Sequence, residues 1–391
     1  MTAFDLQSWF DRHLGDQPSV LLGAAGFPGG ERSVFGHSPS RILSLAPGQA
    51  DALNEALEST RGGNGGWIGY LSYEFGLPFV HEAQLLASPR EETAGVFRYY
   101  DRLDLLPSER VVRPAGRTRP QLKLTPTVAD DEHADRIRSL KERLRAGDVY
   151  EANLTRTFAG APCDPSELFL DLAAHAPAPY AAYLEAPQGA LVCNSPEGFL
   201  RLDPSGQVRT FPIKGTRPRS DDPVLDGVFR EQLAADPKER AEHLMVVDLL
   251  RNDLGSICSP GSITCGPLFE LVAYPGVWHM VTEVRGQLPA GMTRAQLLAA
   301  TLPAGSITGA PKRAAVQQIH RLERAARGAY CGVVVLATDD GALIANVMIR
   351  TAVCSPERTL VQTGGGIVLG SDPGLECAET WLKLSNFVGK S

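Results

Sequence analysis

The chain has 391 residues, of which 43% are hydrophobic and 21% charged, a balance typical of globular enzymes. Its net charge of −7 argues against a general nucleic-acid surface, and no apolar run reaches the roughly 18 residues that a membrane span needs. Seven cysteines without a CxxC pair, and an N-terminus without signal-peptide features, predict neither a disulfide framework nor a zinc site nor secretion. We therefore expect a cytoplasmic protein.

The N-terminal part contains short apolar runs between glycine and proline turns, which predict strands. The longer predicted elements are a helix over Asp51–Leu57 and strands over Trp67–Phe75 and Gly95–Leu106. The stretch Pro107–Pro126 is rich in proline and arginine and lacks periodicity. We place a boundary in this stretch, which divides the chain into regions 1–120 and 121–391.

The second region alternates helical patterns with strands that look antiparallel, and this alternation predicts an α+β fold. Helices are predicted over Asp130–Ala146, Ser166–Ala174, Asp236 to about Gly255, Thr293–Leu302 and Ala310–Ala326, and from Asp372 onward. Strands are predicted over 148–158, 180–184, 190–194, 199–202, 208–212, 277–285, 330–338, 342–353 and 358–363. Two of the helices begin with Asp-Pro, which combines a good N-cap with a favourable first residue.

Two pairs of glutamates are spaced so that both side chains of a pair lie on one helical face. Glu239 and Glu242 form the first pair, and Glu376 and Glu379 form the second, with Lys383 on the same stripe. Four converging carboxylates would suit Mg²⁺, which prefers hard oxygen ligands. The alternative for each pair alone is a solvated helix face.

Lys214 lies in Thr210–Arg217 directly after the apolar residues Phe211–Ile213. Burial against such neighbours would lower the pKa of the lysine and free its amine as a nucleophile. The alternative is an exposed lysine without a chemical role.

Several further positions are compatible with an anion or with a purely structural role. Gly364–Gly366 predicts either a tight turn or a nest of amides for an anion. Gly309–Lys312 could bind phosphate or simply start a helix, and Arg350 could grip a substrate carboxylate or form an internal salt bridge. His279, among apolar strand residues, is either a core histidine or a catalytic acid or base.

Taken together, these stretches resemble the chorismate-utilising enzymes, most strongly from about residue 130 to the C-terminus. The matching segments are Gly147–Leu154, Ser195–Glu197, Pro212–Thr216, Glu242–Asp253, Ser306–Lys312, Gly328–Gly332, Ile349–Thr351, Gly364–Gly366 and Glu376–Glu379. The resemblance implies an α/β sandwich, in which two packed antiparallel sheets are flanked by helices and the N-terminal part contributes strands.

Within this family, the segment Pro212–Thr216 with its lysine at position 214 resembles the same segment of members that convert chorismate and ammonia into 4-amino-4-deoxychorismate. Members that make anthranilate usually have alanine there. Isochorismate-forming members carry a lysine base in the region of Asp148–Leu154, where this chain has Glu151 and amino-accepting relatives often have glutamine. The effect of this glutamate stays open.

The resemblance also implies the roles of the site residues. Lys214 would attack chorismate to form a covalent adduct, and Glu197 would transfer protons. His279 is predicted as a further catalytic residue from its own strand context and not from the resemblance. The implied substrate-binding residues are Gly215, Thr216, Ser306, Tyr330, Arg350, Gly364, Gly365, Gly366 and Lys383. The implied Mg²⁺ ligands are Glu239, Glu242, Glu376 and Glu379.

Ammonia would come from a separate glutamine amidotransferase subunit, because this sequence shows no such segment. No nucleic-acid or membrane partner is expected. Two alternatives remain: an anthranilate-forming or dual-pathway enzyme, and a regulatory subunit that binds chorismate without turnover. The pathway served, the oligomeric state and tryptophan binding by the N-terminal region stay open.

Overall fold

The computed structural model describes residues 4–24, 31–59, 63–80, 93–115, 121–187, 189–274 and 277–388. The helices are α1 Leu6–His13, α2 Ala50–Glu58, α3 Tyr73–Gly76, α4 Asp130–Ala146, α5 Pro165–His175, α6 Pro223–Ala235, α7 Pro237–Gly255, α8 Arg294–Thr301, α9 Lys312–Glu323 and α10 Pro373–Leu382. Short 3₁₀ turns cover Leu77–Phe79, Ser108–Arg110 and Gly305–Ile307.

The strands of the N-terminal part are β1 Phe4–Asp5, β2 Ser19–Leu22, β3 Arg32–Gly36, β4 Arg41–Leu45, β5 Gly66–Leu71, β6 Gly95–Tyr100, β7 Asp104–Pro107 and β8 Val111–Val112. The middle of the chain adds β9 Thr125–Pro126, β10 Glu151–Gly160, β11 Tyr180–Ala186, β12 Gly189–Ser195, β13 Gly198–Leu202, β14 Gln207–Thr210 and β15 Ile213–Pro218. The last strands are β16 Thr264–Cys265, β17 Glu270–Tyr274, β18 Val277–Val281, β19 Val284–Gln287, β20 Gly309–Ala310, β21 Val333–Thr338, β22 Leu343–Val347, β23 Thr351–Cys354 and β24 Thr359–Ile367.

Two large antiparallel sheets form the framework. The first has the order β20-β10-β24-β23-β12-β11-β2-β3-β7, and β9 also pairs with β10. The second has the order β16-β19-β14-β13-β22-β21-β5-β6-β4. A smaller sheet, β15-β18-β17, carries Lys214 and His279, and β1 pairs with β8 in parallel.

The two large sheets pack face to face through an apolar cluster to which both contribute. This cluster joins β3, β11 and β12 of the first sheet to β5, β6 and β21 of the second. The outer face of the first sheet packs against α1 and α5, and that of the second against α2, α7 and α8. Because each inner strand is covered on both sides, β5 and β6 are buried along their whole length. The predicted α+β sandwich is confirmed.

Several predicted strands have different limits in the structure. The strand expected over Trp67–Phe75 ends at Leu71 and is followed by α3, and the strand expected over Gly95–Leu106 divides into β6 and β7. The strand expected over 342–353 divides into β22 and β23, which belong to different sheets. Helix α6 was not predicted. Among the described residues, no helix has both the length and the apolar character that crossing a membrane requires.

Strands from both predicted regions share the two large sheets. β2, β3 and β7 lie in the first sheet beside strands of the second region, and β4, β5 and β6 lie in the second. The division near residue 120 therefore stays a prediction from sequence composition.

Candidate active site

A lysine and a glutamate face each other at the centre of the candidate site. Lys214 lies on β15 and Glu151 begins β10, and the lysine Nζ is 3.6 Å from Glu151 Oε1. Their side chains are 22% and 7% exposed, so the pair is shielded from solvent without being sealed. Among the described residues, this lysine is the one ion-pair partner of Glu151. The sequence left the effect of Glu151 open, and the structure shows that this glutamate contacts Lys214, the predicted nucleophile.

The surroundings of Lys214 reverse the pKa direction expected from its apolar neighbours. Burial alone would lower the pKa of Lys214, but the charges of Glu151, Glu242 and Glu197 outweigh it and raise the pKa above its ordinary value. The expectation of a lowered pKa is wrong because it considered only residues 211–213. The resting amine is therefore protonated and needs a proton acceptor before it can attack.

Glu197 lies in the loop between β12 and β13, and its charge acts on Lys214. Burial raises the pKa of Glu197, although the hydrogen bond from Ser306 and the charges of Lys214 and Lys383 act in the opposite direction. The Ser306 hydroxyl donates to Glu197 Oε1 at 2.9 Å. A carboxyl group held in this way is suited to give a proton to a leaving hydroxyl.

The glycine triplet is part of a strand and is not a turn. Gly364, Gly365 and Gly366 lie within β24 and pair with Thr155, Leu154 and Asn153 of β10. The prediction of a tight turn is wrong.

Glycine is needed in this strand because other groups approach it closely. A Cβ atom at Gly366 would lie 2.0 Å from Glu151 Oε1, and one at Gly365 would lie 3.1 Å from Glu376 Oε2. Lys383 Nζ donates to the carbonyl oxygen of Gly364 at 2.6 Å. The bare backbone thus makes room for two carboxylates and a lysine of the site.

The four predicted metal ligands form two pairs on α7 and α10. Lys383 contacts Glu379 at 2.7 Å, and Arg217 contacts Glu239 at 3.3 Å. Glu242 lies 3.8 Å from Lys238, and burial raises the pKa of both Glu242 and Glu376. Like-charged neighbours, Glu239 for Glu242 and Glu379 for Glu376, act in the same direction.

Glu239, Glu242 and Glu376 are partly buried and Glu379 is exposed, and carboxylates that repel one another are a donor set that a hard divalent cation favours, so these residues fit Mg²⁺. The carboxylate oxygens of the four glutamates do not, however, all lie within 4.8 Å of one another. In the described part of the chain, the His/Asp group His13, Asp16 and His37 alone has ligand atoms within 4.8 Å of one another. Those three residues lie near α1 and β3, and the His13 and His37 rings are stacked with centroids 4.0 Å apart.

Arg350 separates β22 from β23 and has a left-handed backbone with φ 50°. Burial lowers the pKa of this half-buried residue. Its guanidinium has no ion pair or hydrogen bond with any described residue, so the internal salt bridge that the sequence left open is absent from that part of the chain. A desolvated arginine without a protein partner is a good receptor for a ligand carboxylate.

His279 lies on β18, directly opposite Thr216 of β15. The imidazole Nδ1 is 3.1 Å from the Thr216 hydroxyl and 3.5 Å from the carbonyl oxygen of Gly215. Burial lowers the pKa of His279, and the charge of Arg350 lowers it further. The ring is therefore neutral at pH 7 and is tied to the loop beside Lys214. A catalytic role for it stays a prediction.

The family of chorismate binding enzymes matches residues 34–389 of this sequence. The chain belongs to this family. One relative, "Aminodeoxychorismate synthase component 1" of Klebsiella aerogenes, is 32% identical over 370 residues, which are 93% of this chain and 77% of that protein. "Anthranilate synthase component 1 1" of Haloarcula marismortui is 41% identical over 251 residues, 64% of this chain and 51% of that protein.

A solved structure supports the fold. Anthranilate synthase component I from Streptococcus pneumoniae TIGR4 superposes with a TM-score of 0.81 at 24% identity and covers 93% of this chain and 94% of that one. The sandwich is therefore the fold of the chorismate binding enzymes.

Other residues of the motifs singled out in the sequence are buried or paired within the protein. Tyr330 is 6% exposed, at the end of the loop before β21, and burial raises its pKa. Lys312 contacts both oxygens of Asp253 at 2.7 Å and so joins α9 to α7. The sequence did not predict this ion pair. Because Lys312 is bound to Asp253, it is not available for the phosphate site that Gly309–Lys312 had suggested.

A second buried pair supports the strand that carries Glu151. Arg327 contacts Glu323 at 2.8 Å, and Glu323 accepts hydrogen bonds from the backbone and the hydroxyl of Thr155 on β10. Arg327 also donates to the carbonyl of Asn153. Arg327 and Glu323 are four residues apart, but local sequence does not indicate their contacts with Thr155 and Asn153, which lie far away along the chain.

Proposed function

We propose that this chain is the chorismate-converting component of an aminodeoxychorismate synthase, which forms 4-amino-4-deoxychorismate through a covalent adduct on Lys214. The observation that carries the proposal is the Lys214 amine, which lies 3.6 Å from Glu151 and within the electrostatic influence of Glu197. The relative of Klebsiella aerogenes, matched over 93% of this chain, bears that name.

The first half-reaction needs the Lys214 ammonium to lose a proton, and Glu151 is the adjacent carboxylate that can accept it. The amine then forms a bond to C2 of chorismate, both conjugated ring double bonds shift and the C4–O bond breaks. In this proposal Glu197 gives a proton to the departing hydroxyl, which leaves as water, and burial, which raises the pKa of this carboxyl, favours its proton-carrying form.

The second half-reaction restores the lysine. Ammonia forms a bond to C4, both ring double bonds shift back and the bond between C2 and Lys214 breaks. The surplus proton of the new amine passes to Glu197, and Glu151 returns its proton to Lys214. The enolpyruvyl group is retained throughout. In the net reaction an amino group from ammonia replaces the C4 hydroxyl, and one water is released.

The remaining residues bind and orient the substrate. Arg350 would hold a chorismate carboxylate, since its guanidinium has no partner among the described residues. Mg²⁺, held by Glu239, Glu242, Glu376 and Glu379, would supply positive charge for the other carboxylate. Ammonia would come from a separate glutamine amidotransferase subunit.

An anthranilate-forming enzyme is the second candidate, because one relative with that name is 41% identical over 64% of this chain. The two activities are separated by incubating the purified chain with chorismate, Mg²⁺ and an ammonium salt. A product that keeps the enolpyruvyl group by mass and ultraviolet spectrum supports our proposal. Anthranilate with pyruvate would overturn it.

The role of Lys214 needs its own test. Lys214→Ala should abolish both turnover and the mass increase of the intact protein when chorismate is added without ammonium. Lys123→Ala, at an exposed lysine, is the matched control and should keep both. An undiminished ammonium-dependent rate in Lys214→Ala would refute the adduct.

A further inference from the structure

Two cysteines outside the candidate site lie in contact with each other. Cys163 lies between β10 and α5, Cys354 is the last residue of β23, and their Sγ atoms are 3.7 Å apart. Cys163 is partly exposed, whereas Cys354 is 2% exposed. They are 191 positions apart in the sequence, so the fold alone brings them together.

The two thiols are not equivalent. Cys163 Sγ accepts a hydrogen bond from the Thr359 hydroxyl at 3.3 Å. The contact with Cys354, together with this bond, lowers the pKa of Cys163 to about 7 even though burial opposes the change. The same contact and burial raise the pKa of Cys354. Cys163 is also the more accessible of the two, so it is placed to act as the attacking thiolate, whereas the buried Cys354 is placed to act second.

We propose that Cys163 is a peroxide-sensitive oxidation site, with Cys354 as its resolving partner. The Cys163 thiolate attacks a hydroperoxide oxygen and becomes a sulfenic acid while the O–O bond breaks. Cys354 sulfur then attacks the sulfenic sulfur, water leaves, and a disulfide forms. The two thiols give up two electrons in total, and the hydroperoxide accepts them.

Only a small movement of the two sulfur atoms is needed for the second step, because they are already 3.7 Å apart. A disulfide needs sulfurs about 2.0 Å apart, so the two atoms must approach by roughly 1.7 Å. Cys163 lies in the connection between β10 and α5, one residue before the N-cap Asp164, so this connection is the part that would have to move. The product would covalently join that connection to the C-terminal end of β23.

The chain offers a matched control for this inference. Cys265 is exposed but lies on β16 in the other large sheet. Oxidation that depended on exposure alone would select Cys265. Oxidation that depends on a neighbouring thiol selects Cys163 and Cys354.

The test uses the reduced full chain, treated with hydrogen peroxide and then alkylated. We expect two thiols to be lost in both proteins, two of the seven in wild type and two of the six in Cys265→Ser, with a non-reduced peptide that links Cys163 to Cys354. Cys163→Ser should give no intramolecular link. The wild-type peptide map decides the question even if that variant folds poorly. Retention of all seven thiols, or oxidation of Cys163 without the link, would overturn the proposal.

Discussion

The glycine triplet of β24 allows a demanding test, because three consecutive glycines face three different neighbours. A Cβ atom at Gly366 would lie 2.0 Å from Glu151 Oε1. To restore an ordinary carbon–oxygen contact of about 3.3 Å, the carboxylate must move by roughly 1.3 Å. Glu151 is 3.6 Å from Lys214, so this movement disturbs the central pair.

Gly366→Ala is expected to leave the fold intact and to impair the reaction. The obstacle is the end of a flexible side chain, so relief costs only about 1 kcal/mol of unfolding free energy. A misplacement of roughly 1 Å near the reacting groups lowers the rate by about 100-fold. The expected result is therefore near-normal stability with a much lower rate.

The two neighbouring glycines serve as controls. At Gly364 the added Cβ would lie 2.4 Å from the backbone oxygen of Leu154, which cannot move without disrupting the pairing of β10 with β24. Gly364→Ala should cost about 3 kcal/mol of unfolding free energy. At Gly365 the nearest atom is Glu376 Oε2 at 3.1 Å, so Gly365→Ala should have a small effect on stability.

Denaturant unfolding and the ammonium-dependent rate with chorismate are to be measured on all three variants. The reasoning is refuted if Gly366→Ala turns over at the wild-type rate. It is refuted equally if Gly364→Ala is as stable as wild type, since the backbone contact would then be unimportant.

The other predictions concern buried charges and the substrate carboxylate. Lys312→Met leaves the Asp253 carboxylate, 6% exposed, without its partner, and should cost about 3 kcal/mol of unfolding free energy at alkaline pH. Burial raises the pKa of Asp253 to about 6 while Lys312 lowers it, so without Lys312 the carboxyl takes up a proton at a higher pH and the cost shrinks as the pH falls. Burial lowers the pKa of His243 to about 4, so between pH 6.5 and 4 the folded state binds fewer protons than the unfolded state. The free energy of unfolding should therefore decrease by about 3 kcal/mol as the pH falls from 6.5 to 4. His243→Phe should remove this decrease in pH-dependent unfolding measurements but leave the similar decrease that His133 causes. Arg350→Gln should raise the KM for chorismate by about 10- to 100-fold.

The helix starts show what local sequence can predict. The Asp-Pro signals at Asp236 and Asp372 predicted α7 and α10, and in both cases the aspartate accepts backbone N–H bonds of the first turn. The same signal at Asp222 starts α6. That helix was missed because Leu233 is its one buried residue, so it lacks the apolar stripe that strengthens such a prediction.

The pKa of Lys214 shows where local sequence fails. The residues beside it are apolar, and they predicted a lowered pKa. The groups that raise it, Glu151, Glu242 and Glu197, come from three other segments that meet only in the folded chain. The motifs could predict which residues belong to the site, whereas the charge balance among them required their distances.

Arg350 shows both what the sequence predicts and what it does not. The sequence predicted one strand through it, but its left-handed backbone carries the chain from β22 in the second sheet to β23 in the first. A non-glycine residue in this conformation costs about 1 kcal/mol, and the guanidinium recovers nothing through an ion pair with the described residues. The arginine therefore weakens the fold in return for a free cation in the site.

This trade makes a prediction that separates binding from stability. Arg350→Gly relieves the backbone strain and removes the charge, so it should be about as stable as wild type in denaturant unfolding while the KM for chorismate rises as in Arg350→Gln. If the glycine variant instead lost about 2 kcal/mol or more, the guanidinium would be holding the fold together. Its role as the receptor of a substrate carboxylate would then have to be abandoned.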